Sequence, residues 1–186
     1  MLAAGRLVKS KNFEMLIRAF AEAKMDGRTL VIIGEGPERA TLEQAAAAAG
    51  VADCLLMPGF VANPYPLMRG AELFVLSSNA EGFPNGLVEA MALGAPVIAT
   101  NCASGPSEIL AELKRDAIQD TLAAAHGIVV PPNSVAHMAQ ALRAMTDPER
   151  RRLYGAKAAQ RARAYGAGVA KDRYWAVLRE AMAAKR

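Results

Sequence analysis

Cysteine and histidine are scarce in this sequence, with two of each among 186 residues. Cys54 and Cys102 stand far apart with no second pair near either, which excludes a disulfide framework and a zinc knuckle and agrees with a reducing cytoplasm. His126 and His137 fall on different predicted elements, and neither an HExxH pair nor a Gly-x-Ser-x-Gly elbow is present. No metal is expected. Aromatic residues make up only 5% of the chain and are not interleaved with basic runs, which argues against nucleic acid as a partner. No stretch approaches the roughly 18 apolar residues of a membrane span. Residues 1–6 also lack the basic start and apolar run of a signal peptide, so a soluble or peripheral protein is expected.

What is present suits a single folded unit. Apolar residues at 53% supply a core, charged residues at 22% are too few for a disordered segment, and the length fits one domain. Net charge is +4, unevenly placed: residues 148–186 hold 11 of the 22 Lys and Arg but only 3 of the 18 Asp and Glu. This excess reads either as the solvated face of helices or as a surface meeting an acidic partner or anionic lipid, the latter at the inner face of a membrane.

Strand and helix patterns alternate along the chain, the signature of a parallel sheet covered by helices on both faces. Six strands are predicted: Leu2 to Val8, Leu30 to Ile33, Cys54 to Met57, Leu73 to Leu76, Pro96 to Thr100 and Gly127 to Val130. Phe13, Leu16, Ile17 and Phe20 recur at helical spacing after the first strand. Pro37 suits the first turn of an alanine-rich helix reaching Ala49. Beyond Pro131-Pro132-Asn133 the composition is helical, with breaks at Asp147-Pro148 and near Gly166, and the last helices cover about residues 149–186.

In an open parallel sheet, ligands bind beyond the carboxyl ends of the strands, so the loops after the apolar runs are the places to look. After the first run, Gly5, Arg6 and Lys11 place a guanidinium and an ammonium in one loop, which suits a diphosphate or is simply an exposed basic loop. Gly34-Glu35-Gly36 allows a ligand close to the backbone. A dinucleotide fingerprint is excluded, since Arg39 stands where its third glycine belongs. After the fourth run, Glu81 precedes a helix and Glu89 lies inside it beside apolar residues. A carboxylate there requires a partner, which ligand hydroxyls or a structural ion pair could supply. Glu81 could equally be a charge favoured by the helix dipole. The loop from Asn101 to Ile109 could line a sugar pocket or supply Ser104 or Ser107 as helix caps.

Taken together, Gly5-Arg6-Leu7-Val8 with Lys11, Val31-Ile32-Ile33-Gly34-Glu35-Gly36-Pro37, Gly59-Phe60-Val61, Glu81-Gly82-Phe83 and Glu89 through Thr100 carry a resemblance. Over nearly its whole length the chain resembles the C-terminal, donor-binding domain of family-four retaining glycosyltransferases, which have the two-domain GT-B architecture. The resemblance implies an α/β fold with a Rossmann-like, doubly wound, six-stranded parallel sheet, one half of a GT-B enzyme, followed by C-terminal helices. A single nucleotide-sugar-binding domain is expected over residues 1–186, with the N-terminal acceptor domain absent. The last helix, around Tyr174 to Leu178, would then pack toward that domain and leave its apolar face exposed or self-associated here.

The site residues follow from the resemblance. Arg6 and Lys11 would hold the donor diphosphate, with Gly5 in the same loop, and Glu89 would accept hydrogen bonds from the ribose. Glu81 would face the donor sugar, while backbone around Gly82, Phe83 and Asn85 would contact sugar and phosphates. Gly34 and Val61 would flank the base. Pro84 departs from the family pattern of glycine and, having no N–H, removes one amide contact. Ser104 through Leu110 looks like the variant of members that transfer N-acetylhexosamine or hexose in surface-glycan or glycolipid assembly. The implied partners are a nucleotide-sugar, most simply a UDP-sugar, a glycan or lipid-linked acceptor and the N-terminal domain, with no metal cofactor. Arg6, Lys11 and Glu81 would form the catalytic set. Two alternatives remain open: a nucleotide or sugar-phosphate binding module without transfer activity, and a UDP-sugar epimerase of the same fold.

Overall fold

A computed structural model describes residues 1–183, so residues 184–186 of the predicted C-terminal helical region lie outside the described residues. The strands are β1 (Leu2–Ala4), β2 (Leu30–Ile33), β3 (Leu55–Gly59), β4 (Phe74–Leu76), β5 (Val97–Thr100), β6 (Leu122–Ala123) and β7 (Ile128–Val130). The helices are α1 (Phe13–Glu22), α2 (Arg39–Ala48), α3 (Tyr65–Gly70), α4 (Asn85–Ala92), α5 (Pro106–Leu110), α6 (Val135–Ala144), α7 (Pro148–Ala162) and α8 (Ala167–Ala183).

The sheet order is β3-β2-β1-β4-β5-β7-β6, and every pairing is parallel except the last. The doubly wound expectation holds, but the strand count is seven rather than six. Leu122 and Ala123 add a two-residue antiparallel edge by pairing with Val129 and Ile128 across a turn closed by Ala124 N–H donating to Gly127 O at 2.9 Å. Two residues cannot show an alternation, so nothing in the local pattern announces this strand. Boundaries also move: β3 starts at Leu55 and runs on to Gly59 rather than covering Cys54 to Met57, and β4, β5 and β7 each start one residue later than expected. β1 ends at Ala4 because Gly5 takes a φ of +153°, and α2 begins at Arg39, leaving Pro37 in the preceding turn.

Alternation along the strands splits the core between the two faces of the sheet. Ala3, Leu30, Ile32, Val75, Ile98, Ile128 and Val130 pack with Phe13, Leu16, Ile17 and Phe20 of α1 and with α6. Leu2, Ile33, Phe74, Leu76, Val97, Ala99 and Val129 pack with α4, α5 and α7 on the other face. Sequence alternation thus becomes two buried layers, each excluding water from large aliphatic side chains. Winding reverses between β1 and β4, which sit side by side although β2 and β3 lie between them in the chain. Loops leaving their carboxyl ends diverge, opening a crevice at that switch point.

Candidate functional site

A cleft of about 660 Å³ lies at this crevice. Its floor comes from the strand ends Ala4, Ile33 and Leu76, and its walls from Gly5, Arg6, Lys11, Gly34, Glu35, Phe60, Val61, Glu81, Phe83, Pro84, Asn85 and Glu89. Ten of the eleven predicted site residues therefore meet in one place. Gly82 lies in the same loop, exposed, and is not part of the lining.

Backbone contacts set the floor. Gly5 N–H donates to Ile33 O at 3.0 Å and Gly34 N–H to Gly59 O at 2.8 Å, stitching the ends of β1, β2 and β3 together. The approach is so close that a Cβ on Gly34 would stand 2.0 Å from Gly5 O, and its φ of +132° also disfavours any side chain. The basic loop is fixed as firmly. Ser77 Oγ donates to Lys11 O at 2.7 Å, Asn79 N–H to Ser10 O at 2.7 Å, and Asn12 Nδ2 to Asn79 Oδ1 at 3.0 Å.

Charge in the cleft is partly paired and partly free. Lys11 Nζ meets Glu81 Oε1 at 2.6 Å, with the two side chains 24% and 10% exposed, and the same oxygen accepts a hydrogen bond from Ser78 Oγ. Two residues that stand as separate candidates in the sequence thus form one unit. Glu81 lies outside the first turn of α4, so the helix-dipole explanation does not apply to it. Arg6 is exposed and Glu89 half-buried, and among the described residues neither makes a side-chain hydrogen bond or ion pair. Glu89 is therefore not a structural ion-pair residue. It is a carboxylate facing a cleft with its accepting capacity unused, opposite in sign to Arg6 on the same lining. The arrangement can take a ligand that is anionic at one point and rich in hydroxyl donors at another.

Some expectations are corrected. The Asn101 to Ile109 loop does not line the cleft. It lies behind the Glu81 loop, joined by a bridge between Ala80 and Ala103. Neither serine caps α5: Gly105 is the N-cap, and its N–H donates to Glu108 Oε2 at 2.9 Å. Five lining residues lie outside the predicted set and the floor: Glu35, Phe60, Pro64, Met68 and Gly86. Phe60, 73% exposed after β3, and Glu35 are legible in the sequence only as motif letters, although an aromatic beyond a strand's carboxyl end is itself a signal. Among the described residues, no group of three or more His, Cys, Asp or Glu is placed to hold a metal ion, and no helix is long and apolar enough to cross a membrane.

Known proteins resemble this chain in sequence and in fold. An N-acetylgalactosaminyltransferase of Campylobacter jejuni, named for N,N'-diacetylbacillosaminyl-diphospho-undecaprenol, is 34% identical over 166 residues, covering 89% of this chain and 42% of the relative. The chain thus spans less than half the length of that relative. The crystal structure of the C-terminal domain of a glycosyl transferase group 1 family protein from Francisella tularensis superposes with a TM-score of 0.70 at 25% identity, covering 86% of this chain and 82% of that one. The pneumococcal O-GlcNAc transferase GtfA, solved with UDP and GlcNAc, superposes with a TM-score of 0.80 at 22% identity over 97% of this chain and 35% of its own. The profile of the family described as glycosyl transferases group 1 matches residues 1–161. The cleft at the switch point of a doubly wound sheet, the paired loops around it and this match over most of the length agree: the chain belongs to the glycosyl transferases group 1 family.

Proposed function

We propose that this chain is the donor-binding domain, over residues 1–186, of a retaining glycosyltransferase that uses a UDP-sugar and passes a hexosyl or N-acetylhexosaminyl group to a glycan or lipid-linked acceptor. One observation carries the reading: free Arg6, paired Lys11 and unpartnered Glu89 line the same cleft at the topological switch point. Arg6 grips two diphosphate oxygens in a fork. Lys11 spends one of its three donors on Glu81 and turns the others to the phosphates. Glu89 accepts the ribose hydroxyls, and Gly34 and Val61 flank the base. Glu81, with Gly82, Phe83 and Asn85, faces the sugar, and Pro84 withholds the amide that glycine would offer there.

In the reaction, the bond between the sugar's anomeric carbon and the diphosphate oxygen breaks, and the electron pair leaves with the nucleotide. The acceptor hydroxyl passes its proton to the departing diphosphate oxygen, and its own oxygen bonds to the same carbon with the configuration retained. Charge growing on the leaving diphosphate is met by Arg6 and Lys11, which supply the electrostatic stabilisation without a metal. The acceptor and the rest of the cleft belong to an N-terminal domain. The bare apolar face of α8, with Trp175 53% and Tyr174 74% exposed, supports that partnership. The basic excess of the C-terminal helices supports work at the inner face of a membrane from the cytoplasm. The isolated domain binds donor but does not transfer.

Calorimetric titration with UDP, GDP and ADP at one salt concentration tests the reading. UDP should bind, and Glu89→Ala and Arg6→Ala should each weaken it by about 1–3 kcal/mol, the range for losing a hydrogen bond to a charged group. Two variants that bind UDP like the parent would mean that the site is elsewhere.

A further inference from the structure

A chain of side chains outside the cleft holds one of its walls. Phe83, which lines the cleft, packs against Tyr165 with ring centroids 5.8 Å apart and planes tilted by 48°. Tyr165 lies in the short turn between α7 and α8, far from Phe83 in sequence. Arg161, one turn earlier on α7, lies over the Tyr165 ring at 5.4 Å and donates to its hydroxyl at 3.1 Å. The same guanidinium donates to Ile109 O at 3.0 Å and Glu108 O at 2.9 Å, and pairs with Glu112 at 3.1 Å. It therefore fixes α5 as well as the tyrosine. α5 in turn begins at Gly105, which gives way to Pro84: a Cβ on Gly105 would stand 2.5 Å from Pro84 Cδ.

Two adjacent residues of the cleft wall thus rest on one frame, Phe83 on Tyr165 and Pro84 on the start of α5, and Arg161 ties both supports together. We propose that Arg161 and Tyr165 are positioning residues for the donor's sugar, holding the Glu81–Asn85 wall in the shape that receives it. The proposal rests on the donor-binding reading above. Neither residue lines the cleft itself, so their effect reaches the ligand only through Phe83 and Pro84. At the nucleotide end of the cleft, Arg6 and Gly34 follow β1 and β2 and lie outside this frame, while Glu89 lies on α4, which packs on α7.

The separation of the two ends makes the test specific. UDP and UDP-N-acetylglucosamine are titrated into the parent chain, Tyr165→Ala and Tyr165→Phe, with melting temperatures recorded to establish that each is folded. Tyr165→Ala should keep the parent's UDP affinity and lose about two- to tenfold of the ratio by which the sugar nucleotide binds relative to UDP, the size expected for an aromatic pair. Tyr165→Phe keeps the ring and should restore the ratio. Hydrogen exchange supplies a readout that needs no ligand: amides of residues 82–85 should exchange faster in Tyr165→Ala than in Tyr165→Phe. An unchanged ratio together with unchanged exchange would overturn the proposal. Failure of the parent to bind UDP would instead overturn the donor reading, with the exchange result still deciding whether the frame holds the wall.

Discussion

Single side chains decide what the cleft can take. Glu89 stands in a helix among buried residues, and such a carboxylate is costly unless something donates to it, which is why the amino-acid sequence alone marks it as a candidate. Glu89 is half-buried and makes no side-chain hydrogen bond or ion pair among the described residues, so its oxygens are open to water or a ligand. Lys11 and Glu81 are legible in the sequence as charged residues but not as a pair, because 70 positions separate them and only the fold brings them to 2.6 Å. Cys102, behind the same loop, is 1% exposed, and burial, followed by the nearby Glu81 charge, pushes its thiol above the ordinary value of 9.0. A raised folded value means that the neutral thiol is favoured. That contribution to stability is complete below 9.0 and is lost as pH rises through the folded value. Iodoacetamide at about pH 8 should therefore label half-buried Cys54 well before Cys102, as read by peptide mass. Equal labelling in the folded protein would contradict the buried placement.

At the scale of elements, periodicity and punctuation are enough wherever an element is long. The 3.6-residue repeat of α1 and the break at Asp147-Pro148 both reappear in the structure, the latter as a capped helix start. Asp147 accepts from Glu149 N–H at 2.9 Å, satisfying one of the four donors that a helix start leaves unpaired. Asp147→Ala should lower the unfolding free energy by about 1 kcal/mol, measurable as a shifted urea midpoint with the slope unchanged. β6 is invisible in the sequence because two residues carry no pattern, and its pairing depends on a turn that returns the chain to β7. The loop after β5 misleads for a different reason. Its small residues allow either a ligand wall or tight packing, and contacts with Pro84 and Ala80, unreadable from composition, choose packing.

For the whole molecule, strand order is what turns scattered loops into a site. Alternating strand and helix patterns predict a parallel sheet, but the reversal between β1 and β4 appears only when the strands are ordered, and the cleft sits at that reversal. α8 exposes several large apolar side chains, including Tyr174, Trp175, Val177, Leu178 and Met182. A second depression of about 610 Å³ lies at the opposite, amino-terminal end of the strands, around Met1, Arg28 and Glu72. It holds charge too, but its Arg28 is already paired with Glu72, and it lies at the amino-terminal rather than the carboxyl ends of the strands. The two depressions give the account a direct test. In a nitrogen-15 amide spectrum of the labelled chain, added UDP should shift Gly5, Arg6, Gly34, Asn85 and Glu89 and leave Arg28 and Glu72 in place. Shifts confined to Arg28, Glu72 and their neighbours would contradict the assignment of the switch-point cleft as the donor site.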